Sequence, residues 1–372
     1  MNSAASDKLH FGPGGGSEVT GSFVNYLGER YYKIENVDGM APFFVSVISN
    51  DDHWLFVSST GGLTAGRVSP ETALFPYTTV DKIHDGYLTT GPRTVVRLDR
   101  DGRRDTWEPF NRELDGEYTV TRNLYKNLLG NKLCFEELNH DLGISFRYTW
   151  LTSDEFGFVR RCELVNETDS ACQVSLLDGV QNLLPAGTPR FTQTNSSNLV
   201  DAYKWTELDE ETGLAYLALY SGISDKAEPC ESLKATTVFS LGLDDRRTLV
   251  SSNQLAAFRQ GSDVTTERHT RGIRGCYFVQ SDFKLAGGDS KEWSIVANLE
   301  QTQSDVVRLR QRLRVADSLT TSISNSVAQG SDELARIMAS SDGFQTTAEE
   351  NVSGHHYANV MFNVLRGGIF DD

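Results

Sequence analysis

Histidine among carboxylates, arginine beside glycines and tryptophan in polar company are the residues of this chain whose types and spacing could do chemistry. His140 lies in Glu136-Glu137-Leu138-Asn139-His140-Asp141, which sets an imidazole near acidic groups as an acid–base catalyst requires. The same run ends in Asn139-His140-Asp141-Leu142-Gly143, where polar residues are expected for a turn. Spacing identifies no second site residue, so the turn is the favoured reading. Gly61-Gly62-Leu63-Thr64-Ala65-Gly66-Arg67 could cradle an anion through backbone N–H groups and a guanidinium, although such Gly-rich connections more often just turn the chain. Arg268-His269-Thr270-Arg271 with Arg274 reads as an intramolecular or subunit contact rather than a phosphate site. His355 and His356, adjacent on a helix, point about 100° apart and lack a ligand at i+3 or i+4, which favours capping or an interface over metal binding. No metal or cofactor is expected.

Exposed aromatic rings can stack on sugar rings, and the five tryptophans are Trp54, Trp107, Trp150, Trp205 and Trp293. Trp150 falls to the core by strand alternation. Trp107, in Asp105-Thr106-Trp107-Glu108, and Trp205, in Tyr203-Lys204-Trp205-Thr206, have polar neighbours and are the better surface candidates for binding a glycan. Nucleophilic chemistry has no support, since no Gly-x-Ser-x-Gly occurs. The run Gly12-Pro13-Gly14-Gly15-Gly16 lacks the Gly-Lys-Ser/Thr of a phosphate-binding loop.

These residues must be positioned mainly by strands. After a small, Gly-rich lead-in over residues 1–18, the segment 19–300 is a series of β-branched and aromatic runs separated by Gly, Asp and Asn turns. In Ile144–Trp150 the set Ile144, Phe146, Tyr148, Trp150 faces one way and Ser145, Arg147, Thr149 the other, the period of a sheet with one buried face. So many long strands predict a mainly β fold of two large stacked antiparallel sheets. No sequence repeat supports a propeller or solenoid.

Near residue 302 the texture changes. Val306, Leu309, Leu313 and Ala316 share a helical face, arginines 308, 310, 312 and 314 cover the rest, and Ser304-Asp305 is the expected N-cap. A second helix is expected over Asp332–Met338, with Leu334, Ile337 and Met338 as its apolar stripe; Thr320–Gly330 is either loop or helix continuation. Residues 301–350 are therefore read as a helical linker. The stretch 351–372 carries Val360, Met361, Val364 and Leu365 at helical spacing and reads as the first helix of a further domain. These stripes lack an obvious intrachain cover, which makes self-association, as a homodimer, the expectation.

A net charge of −16 and a pI near 4.9 over 372 residues would repel phosphate backbones and anionic lipid, so nucleic acid and membrane are excluded as main partners. The first residues show no basic region leading into an apolar segment, and a soluble, cytoplasmic protein is expected. Five scattered cysteines without a Cys-x-x-Cys pair are read as reduced, mostly buried thiols.

The order of parts resembles the cellobiose phosphorylase group of inverting carbohydrate phosphorylases. Phe43–Pro76, with its Gly66-Arg67-Val68-Ser69-Pro70 loop, and Ile144–Asn166, with Arg160-Arg161-Cys162-Glu163-Leu164-Val165-Asn166, look like paired strands of that family's N-terminal domain. The resemblance implies a galactose-mutarotase-like β-supersandwich, linker helices and a following (α/α)6 catalytic barrel. The family's first barrel helix carries Phe-Asn, two residues, then Ser-Arg-Ser, and its Arg helps hold the sugar. Phe362, Asn363 and Arg366 match that pattern, while Leu365 and Gly367 stand where the family commonly has Ser. Arg366 is thereby the residue assigned to a substrate site. The family's general acid and phosphate ligands lie further along than this chain reaches, so no catalytic residue is assigned. The expected function is that of a non-catalytic N-terminal domain that supports glycan binding and assembly with a barrel. The rivals are a stand-alone carbohydrate-binding or assembly module and a mutarotase-like epimerase using His140.

Overall fold

The alternation of Ile144–Trp150 lies near the middle of a twelve-stranded antiparallel sheet. The computed structural model describes residues 9–10, 18–223 and 232–340. From edge to edge the large sheet runs Leu9–His10, Thr20–Tyr26, Glu29–Glu35, Val120–Asn127, Leu133–Asn139, Ile144–Ser153, Gly157–Asn166, Ser290–Thr302, Lys234–Leu241, Leu214–Leu219, Lys204–Asp209 and His269–Arg271. The layer packed against it is not one sheet but two. Arg247–Leu249, Gly275–Leu285, Cys172–Leu183, Gly91–Arg100 and Arg103–Trp107 form a five-stranded sheet, and Phe44–Val47, His53–Ser58, Leu63–Arg67 and Ala73–Phe75 a four-stranded one. The predicted mainly β, two-layer antiparallel architecture is present, with its second layer divided.

One core fills the space between the layers. Ile144, Phe146, Tyr148 and Trp150 of the large sheet meet Val174, Leu176 and Val180 of the five-stranded sheet and Leu55 and Val57 of the four-stranded sheet. Burial of such apolar side chains is the main stabilising term of the fold. Cys134, Cys162, Cys172 and Cys276 are buried free thiols, as expected; Cys230 lies outside the described residues.

Two charged clusters interrupt this core. Arg160 and Asp178 are both 0% exposed and join the large sheet to the five-stranded sheet: Arg160 Nη1 lies 2.8 Å from Asp178 Oδ2 and 2.9 Å from Oδ1. Trp293 Nε1 and Thr94 Oγ1 each donate to the same carboxylate at 2.6 Å. The guanidinium also stands over the Tyr148 ring at 4.7 Å. Burial works against the charge on Arg160, but Asp178 beside it raises the arginine's pKa above its ordinary value. In the second cluster Arg122 Nε donates to Glu137 Oε2 at 2.6 Å, while its Nη atoms reach Asp38 and Asp115 at 2.8 Å each.

The described part of the segment expected as a linker is helical, in two pieces: Gln303–Leu313 and Ala316–Ser340. The first begins two residues earlier than expected, because Thr302 rather than Ser304 is the cap. Thr302 Oγ1 accepts from Asp305 N–H, and Asp305 Oδ2 accepts from Thr302 N–H at 3.1 Å, a reciprocal capping box. These bonds hold the Asp305 carboxyl below the usual carboxylate range. Its contribution is therefore present above the unfolded carboxyl pKa and lost as pH falls through the folded one. Thr302→Ala is expected to cost about 1 kcal/mol in urea unfolding at neutral pH, and less in acid.

The interval Thr320–Gly330 is part of the second helix, not a loop. That helix lies on the outer face of the large sheet: Leu319, Ile323 and Val327 pack on Leu151, Phe156, Val159 and Val296. Further along, Leu334 and Met338 pack on Ile48, whereas Ile337 of the expected stripe is 49% exposed. Gly330, which costs about 1 kcal/mol against Ala in a helix interior, stands where a Cβ would lie 2.7 Å from Asn50 Oδ1. Asn50 in turn donates to Glu333 Oε2 at 2.9 Å. The apolar stripes of these two helices are thus largely covered within the chain, while the stripe of Val360, Met361, Val364 and Leu365 lies outside the described residues. The arginines of the first helix pair with acidic turns: Arg310 with Asp209 at 2.7 Å and Arg314 with Glu211 at 2.8 Å. No helix among the described residues is long and apolar enough to cross a membrane.

Candidate functional site

Trp205 is placed by the pleat of the strand Lys204–Asp209. Lys204, Thr206 and Leu208 turn inward and are buried, so Trp205 and Glu207 face out. On the neighbouring strand Tyr216 and Ala218 share that outer face, and Tyr220 follows, 76% exposed. The edge strand sets Arg271 directly opposite Trp205. Its guanidinium carbon lies 3.9 Å from the indole centroid, and the His269 ring stacks near it at 6.2 Å and 21°. Tyr220 lies at 6.3 Å with a 31° tilt. Val306 and Val307 of the first linker helix supply one wall, closing an open groove of about 600 Å³.

The groove offers ring faces and apolar walls for C–H surfaces, with Glu207, Lys234, Gln301 and Gln303 to meet hydroxyls. Glu207 is the one carboxylate among its described lining residues. Hydrolysis or phosphorolysis of a glycoside by inversion needs an acid for the leaving oxygen and a second group that activates or holds the nucleophile. Among its described lining residues the groove assembles one carboxylate, Glu207, and not such a pair.

Trp107, the other expected surface ring, is 2% exposed and belongs to the core. Its Nε1 donates to Glu137 Oε1 at 2.9 Å, and Phe110 N–H donates to Glu137 Oε2 at 2.7 Å. A buried carboxylate that satisfies the indole N–H lets the ring sit inside although its sequence neighbours are polar. Arg366, His355 and His356 lie outside the described residues. His140 is exposed at the turn between two strands, bonded through Nε2 to Thr121 Oγ1 at 2.8 Å, while Asn139 Oδ1 accepts from Leu142 N–H at 3.0 Å. The turn reading of that segment is the one found.

The Gly61-Gly62 turn and Arg67 are at opposite ends of one strand and do not form an anion loop. Arg67 is instead bonded to Asp51 Oδ2 and Asp52 Oδ1, each at 2.5 Å. It borders a 230 Å³ cleft between the sheet and the first linker helix, lined also by Asp154, Phe156, Thr237, Asn298 and Arg312. Beside it, burial above all, with Arg67 adding to the effect, pushes the His53 imidazole down to about 3, so the ring is neutral at pH 7. Burial and the neighbouring Asp51 push the Asp154 carboxyl up. Sequence reading passed over Asp51, His53 and Asp154 because they lie in two turns about a hundred residues apart, and over the Arg160–Asp178 pair altogether.

Fold and groove together define a two-layer antiparallel β protein with an aromatic-lined groove on its outer face and helices laid across the same face. No known family profile matches the chain, and no curated protein is similar to it in sequence. Among solved structures it is similar to a bacterial glucoamylase complexed with acarbose, at 10% identity and a TM-score of 0.47, over 79% of this chain and 37% of that one. It is also similar to a putative kojibiose phosphorylase from the human microbiome (9% identity, TM-score 0.34, 86% of this chain and 34% of that one). A GalM/aldose epimerase homologue from C. elegans is matched over its whole length and 71% of this chain, at 12% identity and a TM-score of 0.39. The chain spans little more than a third of the first two. Likenesses this shallow assign no activity.

Proposed function

We propose that this chain is the β-sandwich and linker-helix part of a carbohydrate-active enzyme, that it holds a glycan in the Trp205 groove, and that catalysis belongs to an attached helical barrel. The observation that carries the reading is the row Arg271, Trp205, Tyr220 on the outer sheet face beside the linker helix. A sugar ring presents C–H bonds on its faces and hydroxyls on its edge, and this row offers aromatic faces flanked by a carboxylate, an ammonium and two amides. The resemblance of Phe43–Pro76 and Ile144–Asn166 to phosphorylase sandwich strands supports the same reading.

Calorimetric titration with gluco-oligosaccharides is the test. Saturable binding is expected, and Trp205→Ala should weaken it by roughly 2 kcal/mol, about 30-fold, as loss of a central aromatic anchor does. Trp205 is half-buried at a sheet edge, so its removal should leave the chain folded. The isolated chain should not cleave β-glucosides. No heat with any glycan, or affinity unchanged in Trp205→Ala, would overturn the proposal.

A further inference from the structure

We infer that Asp51, His53 and Asp154 form a divalent metal site, of the zinc or manganese class, which ties the four-stranded sheet to the large sheet. One imidazole nitrogen of His53 and one carboxylate oxygen each of Asp51 and Asp154 lie within 4.8 Å of one another. Asp51 comes from the turn before the strand His53–Ser58, and Asp154 from the turn joining the strands Ile144–Ser153 and Gly157–Asn166. A shared ion would therefore bridge the two layers at a point where Arg67 already gathers carboxylates.

Carboxylates clustered in exposed turns commonly hold no ion, and these two alone would carry nothing. His53 is the independent observation. It is 7% exposed, its Nδ1 lies 3.3 Å from Ser49 Oγ, and its Nε2 is enclosed without any hydrogen-bond partner. Buried polar atoms are nearly always partnered. In the tautomer that donates from Nδ1 to Ser49, Nε2 presents a lone pair with no proton to receive it. A metal-bound histidine commonly has this arrangement, one nitrogen oriented by a hydrogen bond and the other left for the ion.

The carboxylates remain available. Arg67 Nη2 engages Asp51 Oδ2 and orients that carboxylate as an outer-sphere partner would, while Asn50 Nδ2 donates to Asp154 Oδ1 at 3.5 Å, so an entering ion replaces the direct contact between the two carboxylates. Two carboxylates and a neutral imidazole suit a borderline transition ion; the imidazole disfavours calcium and magnesium, which take all-oxygen sets. Metal–ligand bonds of about 2.0–2.2 Å require the two turns to draw together by small side-chain rotations. Both turns carry half-exposed carboxylates that can make them.

The experiment uses the full chain, stripped with EDTA and dialysed, titrated with Zn²⁺ and separately with Ca²⁺, and followed by calorimetry and thermal unfolding. One tightly bound Zn²⁺ is expected, with Tm raised by several degrees because the ion binds only the folded chain, and a smaller shift with Ca²⁺. Asp154→Asn should weaken Zn²⁺ roughly tenfold or more and abolish the Tm shift. His53→Ala opens a buried site and can unfold the chain, so Asp51→Asn, in a half-exposed turn, is the second variant and should behave as Asp154→Asn. A variant with His355→Ala and His356→Ala removes the rival imidazole pair and should keep both the bound ion and the Tm shift. The inference is overturned if no Zn²⁺ binds, if Asp154→Asn and Asp51→Asn bind as the parent does, if Ca²⁺ stabilises more than Zn²⁺, or if loss of His355 and His356 removes the effect.

Discussion

Asp178→Ala should lower stability by about 3–5 kcal/mol, because it leaves Arg160 charged and uncompensated between the two layers. Arg160 is fully buried, and besides Asp178 it meets the Thr94 hydroxyl at 3.3 Å and the faces of Tyr148 and Phe146. Trp293 Nε1 and Thr94 Oγ1 lose their acceptor in the same stroke. Against a total stability on the order of 5–15 kcal/mol, the loss is a third or more. Urea unfolding followed by tryptophan fluorescence reads it as a drop in midpoint at unchanged slope. Replacing both charges, with Arg160→Met and Asp178→Leu, should recover part of the loss, since an apolar pair of similar volume needs no compensation. Equal stability of Asp178→Ala and the parent would show that the pair is not what holds the layers in register.

Trp107→Ala should cost about 3–5 kcal/mol of stability while leaving glycan affinity unchanged. The substitution empties a buried site and takes a donor from Glu137, whose other partners are Arg122 Nε and Phe110 N–H. Trp107→Phe keeps most of the ring volume and removes only the hydrogen bond, so it should cost about 1–3 kcal/mol. Chemical denaturation gives the first quantity and titration of the folded variant the second. Together with Trp205→Ala, which is expected to do the reverse, this separates the core indole from the groove indole. A loss of glycan affinity in folded Trp107→Phe would contradict the assignment of this ring to the core.

Much of the fold is legible from alternation. Ile144, Phe146, Tyr148 and Trp150 read inward and are inward. The same rule, applied to charged residues, would have found both buried clusters. Arg160 shares the parity of Phe158, Cys162 and Leu164, and Asp178 that of Val174, Leu176 and Val180. Glu137 follows Leu133 and Phe135 on the core side of its strand. Trp107 was misread because local polarity stood in for exposure; the residue that makes its burial possible, Glu137, is thirty residues away in sequence. The Trp205 groove is half legible, since alternation turns Trp205 outward, but Arg271 reaches the indole, and Val306 the groove, only through long-range order. The cation site depends on two turns meeting across layers, and no local pattern records that meeting.

The position of the strand Ser290–Thr302 has a consequence for how the chain is made. It lies inside the large sheet, between Gly157–Asn166 and Lys234–Leu241, and joins a group of strands ending at residue 166 to a group beginning at residue 204. On the ribosome both groups emerge first, each with an open row of unpaired backbone N–H and C=O groups facing a gap. That gap is filled only when the strand Ser290–Thr302 has been synthesised, and the helix Ala316–Ser340, which covers the outer apolar strip, follows later still. Until then the nascent chain displays two sticky edges of the kind that recruit foreign strands. Closure of the large sheet is therefore timed by the strand Ser290–Thr302, and a pause or truncation before residue 290 leaves it most exposed to mispairing.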